Sequence, residues 1–249
     1  MTTSSPFVVL VTGGCRGIGL GTIEAALARG WVAVAADLSG QDDLPTGAEF
    51  EACDVTDVAA VERAVAAVVA RHGRLDGVHA NAGVADWEPF LEMSPETYRR
   101  TMAVNLDGMF LTAQVAARHM VERGAGSIVL TSSVRSVATN ALHAAYGASK
   151  GATNSLVTAL AAELGGQGVR VNGVLPGAID TPMNRAAADL FFDGDMTALS
   201  REMSASIPAG RLGTSREVGE VVTFLLSPAA SYVNGSLVRV DGGLLTTLT

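Results

Sequence analysis

Lysine is almost absent from this 249-residue chain: Lys150 stands alone against sixteen arginines. Cysteine is scarce as well. Cys15 and Cys53 provide neither a disulfide framework nor a zinc-ligand pattern, so no metal is expected. A reducing, cytoplasmic location is the default expectation for such a chain. No apolar run approaches eighteen residues, which excludes a transmembrane helix on sequence grounds. Residues 1–6 are polar without a charged n-region, and the apolar run 7–11 is too short for a signal peptide. A basic surplus is also missing. Seventeen basic residues against 25 acidic ones give a net charge of −8, which argues against a nucleic-acid partner. What is present is the composition of a globular protein, 48% hydrophobic and 17% charged. The length suits one α/β domain with a large core. No repeat, low-complexity tract or long linker divides it.

Short apolar runs alternate with helical patterns. Strands are expected at 7–11, 31–36, 50–53, 75–80, 127–131, 169–175 and 237–240. Helices are expected at 18–29, 57–72, 95–100, 101–123, 145–164 and 215–226, with Asp57 and Gly73 bounding the second. Residues 182–210 look irregular or mixed. Seven continuous apolar strands separated by helices imply a doubly wound (Rossmann-type) parallel sheet with helices on both faces. Ligands of such sheets bind beyond the carboxyl ends of the strands.

The first strand runs into Thr12-Gly13-Gly14-Cys15-Arg16-Gly17-Ile18-Gly19. Glycines there allow a tight turn and close approach to a pyrophosphate, which the next helix N-terminus attracts. Asp37 ends the second strand, 18 residues after Gly19. A carboxylate there accepts hydrogen bonds from adenosine ribose hydroxyls and repels a 2′-phosphate, which favours NAD. Arg16 pulls towards NADP, the alternative cofactor. After the third strand, Asp54 could accept the adenine amino group while Val55 packs on the ring; an N-cap or turn explains Asp54 equally well. Asn81-Ala82-Gly83 follows the fourth strand, where small residues let cofactor and backbone approach. Cys15 lies near a helix N-terminus, a position that lowers a thiol pKa, although a small buried filler explains it too.

Ser133 lies past the fifth strand. Tyr146 and Lys150 are four residues apart at a helix start and share one face. A nearby ammonium lowers a phenol pKa by roughly 1–3 units, which makes the tyrosine a usable acid/base. Lys150 also stands among Ala, Gly and Ser rather than in a charged stripe.

Taken in order, Thr12-Gly13-x-x-x-Gly17-x-Gly19, Asp54, Asn81-Ala82-Gly83, Asn105, Ser133, Tyr146-x-x-x-Lys150 and Pro176-Gly177 resemble the short-chain dehydrogenase/reductase family, of the compact single-domain type. The resemblance spans nearly the whole chain and includes the 13-residue interval from Ser133 to Tyr146. It implies direct hydride transfer between a nicotinamide cofactor and a secondary alcohol or ketone. Tyr146 would be the general acid/base, Lys150 would bind the nicotinamide ribose and lower the Tyr146 pKa, and Ser133 would orient the substrate oxygen. Asn105 would hold a water linking Lys150 to solvent. The Ile179 backbone and the Thr181 hydroxyl would contact the carboxamide. His79-Ala80 depart from the family, which often has a second asparagine there; little effect is expected.

The resemblance places a substrate lid at about 182–210. Met183, Phe191, Phe192, Met196, Met203 and Ile207 give it apolar faces. Arg135 and His143 flank the Ser133–Tyr146 segment and could meet a substrate carboxylate or hydroxyl. Asp189, Asp193 and Asp195 form an acidic lid cluster. Ala113, Ala116, Ala117, Ala159 and Ala162 give the two long helices small-residue faces, which in the family pack across a two-fold axis; a homotetramer is the expectation. The competing functions are an NADP(H)-dependent carbonyl reductase and a dinucleotide-binding sensor without turnover.

Overall fold

The computed structural model describes residues 6–246. The first five residues of the N-terminal stretch read above therefore lie outside the described residues. The elements run β1 (Val8–Thr12), α1 (Gly17–Ala28), β2 (Val32–Asp37), β3 (Glu49–Ala52), α2 (Val58–His72), β4 (Gly77–Ala80), α3 (Pro95–Met102), α4 (Gly108–Arg123), β5 (Gly126–Thr131), α5 (Ala144–Leu164), β6 (Val169–Pro176), β7 (Ile179–Asp180), α6 (Pro182–Phe191), α7 (Met196–Ala205), β8 (Gly213–Thr214), α8 (Ser215–Leu226) and β9 (Leu237–Val240).

Seven strands form one parallel sheet in the order β3-β2-β1-β4-β5-β6-β9. All five residues of β1 are buried, and they alternate between two cores. Val8 and Leu10 join α2, α4 and α5 residues on one face. Val9 and Val11 join α1 and α8 residues on the other. Both faces are thus covered, which is why the strands read as continuous apolar runs. Helices α1 and α8 touch backbone to backbone: a Cβ at Gly219 would lie 2.2 Å from the Gly21 carbonyl oxygen. The order reverses at β1, which pairs with β2 on one side and β4 on the other. That reversal opens the crevice at the carboxyl ends of β1 and β4.

Four expectations are corrected. Residues 95–123 form one continuous helical rod rather than two helices, capped by Ser94 and crossing a π-turn at Ala103–Asp107. The region 182–210 is not irregular. Thr181 caps α6 by accepting from Asn184 N, and Asp195 caps α7 by accepting from Thr197 and Ala198 N. Asp195 therefore caps the lid helix while remaining exposed, as Asp189 and Asp193 are. The two-residue strands β7 and β8, which tie the lid to the body, carry too little pattern to be read. Finally, Ala113, Ala116 and Ala117 face the sheet and belong to its core, while Ala159 and Ala162 are exposed. No helix among the described residues is long and apolar enough to cross a membrane.

Candidate active site

The β1–α1 turn is built for close approach. Gly17 takes φ +53°, and a Cβ at Gly19 would lie 2.0 Å from the Gly13 carbonyl oxygen. Arg16 precedes α1 without a capping side chain, and the first turn carries no acidic residue, so its N–H groups remain available to an anion. Asp37 accepts from the backbone N–H of Cys15 at 3.1 Å and from that of Leu38 at 2.8 Å. The carboxylate is thereby fixed beside the glycine turn. Cys15 is a buried filler: burial first, then the charges of Asp37 and Asp43, push its thiol up to about 11. The activation expected of a helix N-terminus is overridden. Arg16 is exposed.

Asp54 accepts from both the backbone N–H and the hydroxyl of Thr56, an Asx-type turn. Val55 is 7% exposed and packs on α4, where a Cβ at Gly108 would meet its Cγ2 at 2.7 Å. Asn81 braces β1 to β4. Its backbone N–H donates to Thr12 Oγ1, and its Nδ2 donates to the carbonyls of Thr12 and Gly13. The Ala82 N–H also reaches Thr12 Oγ1. Gly83 lies under Lys150: a Cβ there would be 3.6 Å from Lys150 Nζ and 3.3 Å from Asn105 Oδ1.

On the far side of the crevice, Pro176 ends β6, and Gly177 donates to the Val240 carbonyl. The Ile179 carbonyl accepts from Asn184 Nδ2. A Cβ at Gly17 would lie 3.5 Å from Thr181 Cγ2. A hollow of about 260 Å³ lies between the glycine turn and the starts of α6 and α8. Together these surfaces fit a dinucleotide: a glycine cradle with no room for Cβ, an uncapped helix start, and a carboxylate at the end of β2.

Ser133, Tyr146 and Lys150 converge at the ends of β5 and α5. Ser133 Oγ accepts the Arg135 backbone N–H at 3.1 Å, and Ser133 acts on Tyr146 to lower its pKa. Lys150 is 2% exposed, donates to the Thr131 carbonyl at 2.8 Å, and lies 5.7 Å from the Tyr146 ring centroid. Desolvation pushes its pKa down to about 7. The phenol does not show the lysine-driven depression expected from sequence. Desolvation pushes the Tyr146 pKa up; the Ser133 hydrogen bond and the charge of Arg135 pull it back. The cation that lowers it is Arg135.

Asn105 stands in the π-turn, fully buried. Its carboxamide pairs with both backbone groups of Val84 at 2.8 Å and donates to Ser149 Oγ. The side chain is thus committed to protein groups, and a water would have to be held by backbone freed in the wide turn.

Of the substrate candidates, His143 lines a cavity of about 530 Å³ between residues 89–92 and 139–144. Its ring meets that of Tyr146 edge-on at 6.2 Å. Arg135 reaches the same wall through Asn140 Oδ1 at 2.8 Å. Phe191 instead packs edge-on against Trp87, 6.4 Å between centroids, which joins the lid to the loop after β4. Met183 is partly buried in the first turn of α6.

His79 is the residue that sequence reasoning undervalued. It is fully buried in β4, with Nδ1 3.1 Å from Thr22 Oγ1 and Nε2 2.7 Å from Thr131 Oγ1. Thr131 Oγ1 in turn donates to Asn81 Oδ1. With Nε2–H donating to Thr131, the Thr131 proton goes to Asn81, and the Thr22 hydroxyl turns its one proton to Nδ1 in place of the Ile18 carbonyl. Burial, then the charge of Lys150, push the imidazole pKa down to about 3, so it is neutral. A histidine inside an otherwise apolar strand was the available signal.

A crevice built from a glycine cradle, a carboxylate at the end of β2 and a Ser-Tyr-Lys cluster defines an oxidoreductase of the dinucleotide-binding class, and comparison with known proteins agrees. The family model described as enoyl-(acyl carrier protein) reductase matches residues 13–245. The chain is 35% identical to L-rhamnose 1-dehydrogenase (NAD(P)(+)) of Azotobacter vinelandii, covering 96% of this chain and 97% of that protein. It is 36% identical to D-threitol dehydrogenase of Mycolicibacterium smegmatis, covering 95% and 92%. The solved aldohexose dehydrogenase of Thermoplasma acidophilum superposes with a TM-score of 0.93 at 30% identity, covering 98% of this chain and 95% of that one. The chain belongs to the short-chain dehydrogenase/reductase family.

Proposed function

We propose that this chain is an NAD(H)-dependent oxidoreductase that interconverts a secondary alcohol and a ketone, with Tyr146 as general acid/base. The observation that carries this reading is the convergence of Ser133 and Tyr146 with the buried Lys150, whose Nζ lies 5.7 Å from the centre of the phenol ring. Ser133 Oγ accepts the Arg135 N–H, which leaves its own proton for the phenol or a substrate oxygen. In the oxidation direction Tyr146 takes the hydroxyl proton; in reduction it returns one to the carbonyl oxygen. Gly13, Gly17, Ile18 and Gly19 would hold the pyrophosphate, and Asp37 the adenosine ribose. Asp54 and Val55 would flank the adenine. Asn81, Ala82, Gly83 and Lys150 would line the nicotinamide ribose, and Pro176, Gly177, Ile179 and Thr181 the carboxamide. When bound, the nicotinamide donates or accepts the hydride.

NAD is favoured over NADP by Asp37, held against the glycine turn by two backbone N–H groups. The second reading, an NADP(H)-dependent carbonyl reductase, rests on the exposed Arg16 in the same turn. Names within the family range over sugar and polyol dehydrogenases and acyl-carrier reductases, so they leave the substrate open. We further propose one catalytic domain assembled as a homotetramer, with the exposed Ala159 and Ala162 of α5 in the contact; sedimentation as a monomer at micromolar concentration would refute the assembly. The test of function is a screen of secondary alcohols and ketones with NAD and NADP, run beside Tyr146→Phe.

A further inference from the structure

We propose that Arg135 anchors an anionic group of the substrate, so that the preferred substrates are hydroxy or oxo acids with an apolar body. This rests on the oxidoreductase reading and names the substrate class of that site.

Arg135 begins at the reacting end of the pocket, because its own N–H donates to Ser133 Oγ. Its guanidinium is then steered by Asn140, which accepts from Nη1 at 2.8 Å and lines the 530 Å³ cavity. A guanidinium carries five N–H donors in a planar fork suited to a carboxylate. Among the described residues Arg135 uses one of them, on a neutral amide, and takes part in no ion pair. Other partly buried arginines are treated differently. Arg74 and Arg123 face Asp76. Arg170 is surrounded by the carbonyls of Leu225, Leu226, Ser227 and Val233. A half-buried cation left short of partners costs stability unless something arrives to pair with it.

The rest of the cavity sets the remainder of the ligand. Its walls include Pro89, Phe90, Leu91 and Leu142, which suit an apolar chain or ring. His143 donates from Nδ1 to the Ala141 carbonyl and burial lowers its pKa, so Arg135 is the permanent positive charge near this wall. Glu92 also lines this cavity and is exposed; its like charge would repel an anion, which is held by Arg135 instead.

The first test needs no turnover. Benzoate and benzamide are the same size and differ in charge, and their binding to the NADH-loaded protein can be measured by calorimetry. The wild type should prefer benzoate by about tenfold or more, as a charge-assisted bidentate pair provides. Arg135→Gln should abolish the preference. Asn140→Ala, which keeps the charge and frees the fork, should weaken it several-fold. Equal binding of the two probes by the wild type, or a preference that survives Arg135→Gln in a folded protein, overturns the proposal. The second test compares kcat/KM for hydroxy acids and their methyl esters; the acid-to-ester ratio should exceed tenfold and collapse in Arg135→Gln. Turnover of neutral alcohols with no charge preference overturns the anchor and leaves the oxidoreductase reading intact. Benzoate preference with no alcohol or ketone turned over supports the anchor and refutes that reading.

Discussion

The ammonium of Lys150 donates to the backbone carbonyl of Thr131 at 2.8 Å, a neutral acceptor deep beneath the crevice. Among the described residues no carboxylate compensates its burial, and its pKa falls to about 7. The consequence for stability has a definite sign. Between pH 7 and the ordinary lysine range the unfolded chain binds a proton that the folded chain has released, so stability rises with pH.

We therefore expect the urea unfolding free energy to increase by about 1–2 kcal/mol from pH 7 to pH 8.5. Above that window the two buried thiols, both pushed up to about 11, act in the opposite direction. Lys150→Met should flatten the rise; an equally steep rise in that variant would assign it to another group.

His79 joins Thr22 of α1 to Thr131 of β5 through the middle of the sheet. His79→Val suits a strand but leaves two buried hydroxyls short of partners. A loss of about 1–3 kcal/mol in thermal or urea unfolding is expected. Because burial holds the folded imidazole at a pKa of about 3 while the unfolded one titrates near 6.5, only the unfolded chain takes up this proton, and His79 should lower stability by about 2 kcal/mol from pH 8 to pH 5. A histidine resonance titrating in that range and assigned to His79 would contradict the network.

Asp37 predicts cofactor choice. The wild type should favour NAD in kcat/KM. Asp37→Ser should raise the NADP-to-NAD ratio by roughly 10–100-fold, since removing a like charge relieves a penalty of a few kcal/mol. A wild-type preference for NADP in steady-state kinetics would overturn the assignment and move the weight to Arg16.

Much of this was legible before any coordinates. Strands buried on both faces are continuous apolar runs, and the glycine spacing, Asp37 and the Tyr146–Lys150 pair each mark one place on the chain. The π-turn around Asn105 was not legible, because one inserted residue shifts the side-chain phase by only about 100° and carries no residue-type signal of its own. The lid helices were missed because each is only ten residues long and their caps, Thr181 and Asp195, are inconspicuous before so short a segment. Long-range electrostatics were missed as well. The spacing of Tyr146 and Lys150 says that they share a face, but only the folded geometry shows that the lysine turns to Thr131 and that Arg135 is the cation lowering the phenol pKa.

The scarcity of lysine offers a chemical check. An amine-reactive reagent has Lys150 and the N-terminal amine to modify. Lys150 is 2% exposed, so its labelling should be slow. Saturating NAD should slow it further, and activity should be lost in step with it. Equal labelling with and without NAD would place the cofactor elsewhere.

The most direct measurement is the turnover of Tyr146→Phe with NAD and the best secondary alcohol from the screen, alongside its affinity for NADH. The account predicts a fall in kcat of about 10²–10⁴-fold, the range of a lost general acid/base, with NADH affinity within a few-fold of wild type. Turnover at the wild-type rate in a variant that has no phenolic hydroxyl would contradict it.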